Sequence, residues 1–368
     1  MIAGAFRSLL FAACLMLAGC QSATVDEALD VNGGKADPVA AGIETVGAGP
    51  VTIGMIVSPG QATVRDLRDG AKLAAMQLGG DQVTLAIHGG GPKAGVEALA
   101  ARNARIIIGP SGAREAGVVA AIAQQARPPV VALVANDVSR GPDMFAFISD
   151  ETDSAIEAAA YAAGSGRKKI VLLHPPGQEQ AMLARLRRNI EAKGGRITAA
   201  LPFSSRASGG LASQVAALKQ ADALLLGPGL EAPAAALAAV RATGALAPNA
   251  MILGTAGLSA QRGLAGTLIC RVDQAAVADV AERYRTEFGR AMTRNAAYGF
   301  DAVALAIGIA RSRGADALDA STLRASAGFR GLLGAFRFKA TGEVERNCSI
   351  YRLTDDKLEL QDPAPNGF

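Results

Sequence analysis

The sequence predicts an α/β protein made of two doubly wound parallel-sheet lobes joined by a multi-strand hinge. From residue 51 onward, short runs rich in Val, Ile and Leu alternate with longer segments of helical periodicity. The runs are apolar on both faces, which is typical of strands in a parallel sheet that helices cover on both sides. The alternation pauses near residue 148 and then restarts. We therefore expect two units of similar size.

Each element of the first unit follows from its own local pattern. Leu67, Ala71 and Ala74 share one face of a helix. Short β-branched runs bounded by Gly or Pro predict the strands. In order, we expect a strand at 51–57, a helix at 65–78, a strand at 83–87, a helix at 94–103, a strand at 105–108, a helix at 113–125, and strands at 129–134 and 145–148.

The second unit repeats this alternation. We expect helices at 153–164, 179–193, 208–220 and 232–243, between strands at 170–173, 196–203, 223–226, 251–253 and 267–270. Helices at 274–290 and 297–313 follow, and a hairpin of 334–339 with 347–353 turns at Thr341-Gly342. These helices and this hairpin follow two complete units. They indicate that the chain returns to the first lobe and then crosses to the second lobe again. Lobe one is therefore predicted to contain 51–147 and 274–343, and lobe two 148–270 and 347–362, with hinge crossovers near 145–150, 268–273 and 345–351.

The N-terminal segment has the features of a secretory signal. Arg7 precedes a short apolar run, and Leu17-Ala18-Gly19-Cys20 resembles the bacterial lipobox. We expect a signal peptide at 1–19, lipid on Cys20 and a flexible tether at 20–50; the alternative is an ordinary signal peptide with an incidental cysteine. By resemblance to the sorting rule of Gram-negative lipoproteins, Gln21 implies the periplasmic face of the outer membrane.

Composition argues against several functional classes. The net charge is +4 and only 4% of residues are aromatic, so nucleic-acid binding has no support. The sequence contains neither of the glycine-rich nucleotide-binding motifs, G-x-x-x-x-G-K-S/T and G-x-G-x-x-G. Its two His and its well-separated Cys form no metal-ligand cluster. We therefore expect no cofactor and no metal. We interpret Arg185, Arg187 and Arg188, together with Arg65, Arg68, Lys168 and Lys169, as solvated helix faces and not as a binding patch.

The stretch IIIGPSGARE, residues 106–115, predicts a strand, a tight turn and a helix start around Ser111. The preceding His88-Gly89-Gly90-Gly91 raises a serine hydrolase as an alternative. That chemistry needs a His after the last strand, and the chain contains only His88 and His174. The favoured interpretation is non-enzymatic: Ser111 and the free N–H groups of a helix N-terminus bind an anion.

A set of segments occurs in a characteristic order: 53–57 followed by Ser58-Pro59-Gly60 and Gly70-Ala71, then 106–111, 129–132, 145–150 and 169–173. In these segments, and over about residues 51–353, the chain resembles type I periplasmic solute-binding proteins of the leucine-binding group. The resemblance implies a ligand in the cleft between the lobes and an ABC permease as the membrane partner. It also implies that the second and third crossovers run side by side, which brings Cys270 and Cys348 close together as a disulfide or as two buried thiols.

The same resemblance implies the ligand contacts. Ser111 and Gly112 would bind a ligand carboxylate, and Ala135 and Asn136 its ammonium. The remaining predicted contacts are Gly60, Gln178 and Thr255. However, the segment 174–178 lacks the family's aromatic residue, and 254–257 lacks its acid. We therefore expect a small amino-acid-like or anionic ligand.

A second function comes from another branch with a similar domain. Outer-membrane lipoproteins that activate penicillin-binding proteins resemble this chain in the lipobox with Gln21 and in the incomplete ligand site. This alternative is a regulator of a peptidoglycan synthase that has a vestigial cleft.

Overall fold

Two large β-sheets organise the part of the chain that the structure describes. The computed structural model describes residues 42–58, 62–205, 211, 214–272, 277–355 and 357–368. The predicted signal peptide, the lipidation site Cys20 and the predicted contact Gly60 lie outside these residues. Both large sheets are dominated by parallel strands with helices between them, so the predicted fold class is confirmed.

The first sheet and its helices form lobe one. Its strands are β1 (Ile43–Val46), β2 (Val51–Ile56), β3 (Val83–His88), β4 (Ile106–Ile108), β5 (Val130–Ala135) and β6 (Met144–Ile148). The helices are α1 (Ala62–Leu78), α2 (Pro92–Ala100) and α3 (Ala113–Ala120). The strand order is β1-β3-β2-β4-β5-β6, and only the β1–β3 pair is antiparallel. The carboxyl ends of β2, β4, β5 and β6 therefore share one edge, where such folds bind ligands.

The predicted tether at 20–50 is wrong in its last part. Residues 43–46 form β1, which pairs with β3 through Ile43 opposite His88 and Val46 opposite Leu85. A salt bridge of 2.6 Å between Glu44 and Lys72 also ties this strand to α1. Half-buried Ile43 and Val46 contact the lobe while the two residues between them face solvent. The strand is only four residues long, too short for a clear periodic signal.

The second sheet and its helices form lobe two. Its first strands are β7 (Lys169–His174), β8 (Arg196–Pro202), β9 (Ala223–Leu226), β10 (Met251–Gly254) and β11 (Leu268–Arg271). The helices are α4 (Glu151–Gly164), α5 (Gln180–Ala192), α6 (Val215–Lys219) and α7 (Pro233–Ala242). Helix α4 starts directly after β6, at the first crossover. Asp150 caps it and forms a reciprocal capping box with Asp153.

After β11 the chain returns to lobe one. It adds α8 (Ala278–Phe288), α9 (Arg294–Arg313), α10 (Ala320–Leu323) and a small sheet of β12 (Phe329–Gly331), β13 (Gly334–Phe338) and β14 (Val344–Arg346). Two glycines bring α1 and α9 into backbone contact. A Cβ on Gly70 would lie 1.8 Å from the Ala296 carbonyl oxygen, and one on Gly299 2.0 Å from that of Leu67. This packing carries Tyr298 to the hinge, where its hydroxyl bonds the backbone of Ser149.

The predicted C-terminal hairpin is wrong in its pairing. Strand β13 pairs with β14 and not with the predicted partner at residues 347–353. The chain then crosses to lobe two and forms β15 (Ser349–Leu353) and β16 (Leu358–Asp362). Strand β15 pairs antiparallel with β11, which completes the order β16-β15-β11-β10-β9-β7-β8. The turn at Thr341-Gly342 is real, but it joins a shorter pair because residues 347–348 are the third crossover.

Candidate functional site

Ser111 lies in the turn that joins β4 to α3. Gly109 has a φ of 89° and precedes a cis peptide bond to Pro110. A Cβ on Gly109 would lie 2.4 Å from the Ile56 carbonyl oxygen, so only glycine lets this turn lie against the end of β2. The turn brings Ser111 and then Gly112, the N-cap residue of α3, to the carboxyl edge of the sheet.

Three serine hydroxyls at this edge are buried without a hydrogen-bond partner among the described residues: Ser58, Ser111 and Ser149. Ser58 lies two residues after β2 and is 8% exposed. Ser149 follows β6 at the first crossover. A buried hydroxyl with no partner costs about 1–3 kcal/mol. Ser58 and Ser111 follow the neighbouring strands β2 and β4, and their hydroxyls are therefore available to a group that enters the cleft.

The side chain of Asn136 is engaged inside the protein. Its Nδ2 donates to the Val344 carbonyl at 2.8 Å and to Asp153 Oδ1 at 3.1 Å, and its Oδ1 accepts from the Val344 N–H at 2.8 Å. The Ala135 carbonyl accepts from the Val138 N–H at 3.2 Å. Both groups that the resemblance assigned to a ligand ammonium therefore have partners within the chain.

Gln178 and Thr255 lie on two different loops of lobe two. The Gln178 N–H donates to the Pro175 carbonyl at 3.3 Å, and its Oε1 lies 4.0 Å from where a Cβ on Gly229 would be. Thr255 follows β10 and is 4% exposed. The contacts described for both residues lie within lobe two, and their ligand roles, like that of Gly60, stay predictions.

Polar side chains join the two lobes in what we call the interlobe seam. Its members are Asn136, Lys339 and Glu345 from lobe one, and Asp153, Glu157, Arg185, Asn189 and Lys193 from lobe two. Lys193 Nζ lies 2.5 Å from Glu345 and 3.1 Å from Glu157. Lys339 Nζ donates to Asn189 Oδ1 at 3.0 Å. The lobes are thus held together by direct ionic and hydrogen-bonded contacts beside the hinge.

Arg185 is the buried cation of this seam. It is 6% exposed, lies 2.9 Å from Asp150 and also pairs with Asp153. Its prediction as a solvated side chain is wrong, whereas Arg187 and Arg188 are exposed. Burial, together with the neighbouring Asp150 carboxylate, raises the pKa of Asp153 to about 6. The charge of Arg185 acts in the opposite direction on that pKa.

A disulfide ties the second and third crossovers together. It joins Cys270, in β11, to Cys348, between β14 and β15, with α-carbons 5.6 Å apart. Of the two alternatives that the sequence left open, the structure contains the disulfide. Both cysteines line a hinge cavity of about 50 Å³, enough for a few water molecules.

Neither histidine contacts Ser111. His88 Nδ1 accepts from the Gly90 N–H at 3.1 Å. His174 Nδ1 lies 2.8 Å from the Pro175 carbonyl oxygen. The nucleophile–base contact that a serine hydrolase needs is therefore missing among the described residues.

Metal ligands do not cluster in the described part of the chain, where no three His, Cys, Asp or Glu side chains are placed to hold an ion. In the same residues, no helix combines the length and the apolar character that a membrane crossing requires. The cleft edge at Ser58, Ser111 and Gly112 remains the candidate site.

Known proteins with this architecture are diverse in function. A structure from Rhodospirillum rubrum, described as a putative branched-chain amino acid ABC transporter, is 17% identical with a TM-score of 0.66, over 84% of this chain and 99% of that one. The LpoA C-domain from Haemophilus influenzae, a regulator of PBP1A, is 16% identical with a TM-score of 0.63, over 84% and 99%. A Rhodopseudomonas palustris solute-binding protein in complex with 3,4-dihydroxybenzoic acid is 17% identical with a TM-score of 0.52, over 86% and 97%.

These identities show a shared fold. No curated protein matches the chain significantly. The family model described as periplasmic binding protein, in contrast, matches residues 50–357 and so spans both lobes and all three crossovers. The chain therefore belongs to the periplasmic binding protein family.

Proposed function

We propose that this protein is a non-enzymatic binding protein of the cell envelope that takes a small carboxylate ligand in the cleft between its lobes. The observation that carries the proposal is the Ser111 hydroxyl, buried without a described partner at the N-terminus of α3. A hydroxyl and free helix N–H groups together favour an anion. Arg114, exposed in the first turn of the same helix, adds positive charge.

We further propose that the ligand carries no ammonium group. The acids near the hinge are already engaged: Glu151 accepts from the Gly257 N–H at 2.9 Å, and Asp150 and Asp153 pair with Arg185. Asn136 Oδ1 is bonded to the Val344 N–H. A ligand ammonium would therefore have to break these contacts, whereas a simple carboxylate would not.

Leucine and its α-keto acid, α-ketoisocaproate, form a matched pair that differs in the ammonium group. Thermal unfolding should be measured with each, and with benzoate as a carboxylate of different shape. A ligand at about a hundred times its Kd adds about 2.7 kcal/mol to the free energy of unfolding. We expect at least one of the two simple carboxylates to stabilise the protein and leucine not to. Stabilisation by leucine alone would contradict the proposal.

The N-terminal segment supports a proposal for the location, and the resemblance to solute-binding proteins supports one for the partner. We propose that lipid on Cys20 anchors the protein to the periplasmic face of the outer membrane and that an ABC permease receives the ligand. Incorporation of labelled palmitate into the full chain, and its loss in Cys20→Ser, tests the anchor. Equal labelling of both proteins would contradict it.

A second candidate function is supported by the interlobe seam and the hinge disulfide. Contacts such as Lys193 with Glu345 join the lobes, and the Cys270–Cys348 bond ties the second crossover to the third, which limits motion at the hinge. A fixed shape suits a protein that binds a partner, here a regulator of a peptidoglycan synthase. Glycan polymerisation and cross-linking by the organism's own penicillin-binding proteins should be assayed with and without this protein. Faster synthesis without carboxylate binding would favour this candidate.

A further inference from the structure

Glu115 lies over the anion-binding turn of α3. Its Oε2 is 1.9 Å, and its Cδ 2.9 Å, from where a Cβ on Gly112 would be. The carboxylate therefore covers the α-carbon of the N-cap residue. Glu115 itself is the third residue of α3 and is half-buried. The chain thus places its own carboxylate at the helix end where a ligand carboxylate would bind.

Electrostatics explain the position of the Glu115 carboxylate. The first N–H groups of a helix have no partners within the helix, and the aligned peptide dipoles put partial positive charge there. A glutamate at the third helical position can fold back toward the N-cap. Because like charges repel, a second carboxylate cannot share this point without displacing the first. Equally, a ligand ammonium placed here would face the positive end of the helix.

From this geometry we infer that the Glu115 carboxylate competes with an anionic ligand for the N-terminus of α3, so that the ligand must displace it. Glu115 therefore sets the affinity and the charge selectivity of the cleft. The inference rests on the proposed function, because it assumes a carboxylate ligand at Ser111. An independent feature points to a ligand here: the Ser58 hydroxyl, on the adjacent strand end, is more than nine-tenths buried and has no partner among the described residues. Ser58 and Ser111 follow the paired strands β2 and β4, so both hydroxyls lie at the sheet edge where the ligand would displace Glu115.

The test is calorimetric titration of wild type, Glu115→Gln and Ser111→Ala with benzoate, α-ketoisocaproate and leucine. Glutamine keeps the shape of the side chain but removes its charge. Benzamide, the uncharged analogue of benzoate, controls for shape. Glu97→Gln, an exposed charge on the neighbouring α2, controls for the general field of the protein.

We expect Glu115→Gln to bind a carboxylate about fivefold tighter than wild type, and Glu97→Gln to match wild type. Benzamide should not distinguish wild type from Glu115→Gln. Unchanged or weaker carboxylate binding in Glu115→Gln, with binding lost in Ser111→Ala, would overturn the inference and leave the proposed function intact. Weaker leucine binding in Glu115→Gln would also overturn it, because Glu115 would then be an ammonium partner. No carboxylate binding to any of these proteins would overturn both proposals.

Discussion

The side chain of Asn136 forms two hydrogen bonds of 2.8 Å with the backbone N–H and carbonyl of Val344. These residues are 208 positions apart in sequence. One follows β5 at the cleft edge, and the other begins β14, the strand that leads into the third crossover. The asparagine thus replaces a strand neighbour for β14 and links the cleft loop to the hinge.

Replacing this side chain should destabilise the protein. Asn136→Ala leaves the buried N–H and carbonyl of Val344 without partners, so we expect the free energy of unfolding to fall by about 3 kcal/mol. Chemical denaturation measures the change. Asn249→Ala, at an exposed position, is the matched control and should change stability little. A stable Asn136→Ala that loses ligand binding would show instead that the amide serves the ligand.

A buried ion pair at the third crossover gives a second prediction. Arg346 is enclosed by the rings of Phe147, Tyr298 and Phe336, and its Nη1 lies 3.7 Å from Asp301. Asp301→Asn leaves this cation without a charged partner and should cost about 3–5 kcal/mol.

The pair Arg105–Asp316 provides the control for that measurement. Its side chains are 49% and 91% exposed, so Asp316→Asn should cost less than about 1 kcal/mol. Equal effects of the two substitutions in denaturant unfolding would mean that the buried pair does not stabilise the hinge.

The hinge disulfide should contribute strongly to stability. Cys270 and Cys348 are 78 residues apart, and closing a loop of this length in the unfolded chain is worth about 4 kcal/mol in the chain-entropy treatment. We expect the double variant Cys270→Ser, Cys348→Ser to unfold at correspondingly lower denaturant. Dithiothreitol should shift the wild-type curve toward that of the variant and leave the variant unchanged. If full reduction left the denaturant unfolding curve of the wild type unchanged, the disulfide would not stabilise the protein as predicted.

Asp153 should make stability depend on pH. Its pKa rises from the ordinary aspartate value of 3.8 to about 6 in the folded protein, so the folded state binds more protons between these values. The stabilisation by protonated Asp153 is fully present below about 3.8 and is lost as the pH rises through about 6. The difference in free energy of unfolding between wild type and Asp153→Asn should therefore change across this window. A constant difference across the same window would contradict the assignment.

The two lobes were predictable because their strands are continuous apolar runs and the segments between the strands have helical periodicity. The three residues of β4, for example, are all fully buried. The pairing of β15 was not predictable from the local sequence pattern. Whether β15 pairs with β13 or with β11 depends on where the third crossover lies. Likewise, β1 is too short to separate from a linker by periodicity.

The contacts of the seam were missed for a different reason. An arginine on an amphipathic helix usually faces solvent, and nothing near Arg185 in sequence shows that Asp150 and Asp153 lie beside it. The spacing of Asp150 and Asp153 was, however, a readable capping-box signal for the start of α4. For Asn136, the residue type was compatible with a ligand contact, and only the fold reveals Val344 as its partner.

The most direct measurement of the central claim is the Kd of the carboxylate that binds wild type most tightly, determined by titration calorimetry for wild type and Ser111→Ala. The hydroxyl is buried and has no described partner, so its removal should not lower the free energy of unfolding. A hydrogen bond to a charged group is worth about 1.5–3 kcal/mol, so the Kd should rise at least about tenfold. An unchanged Kd in a fully folded Ser111→Ala protein would contradict the account.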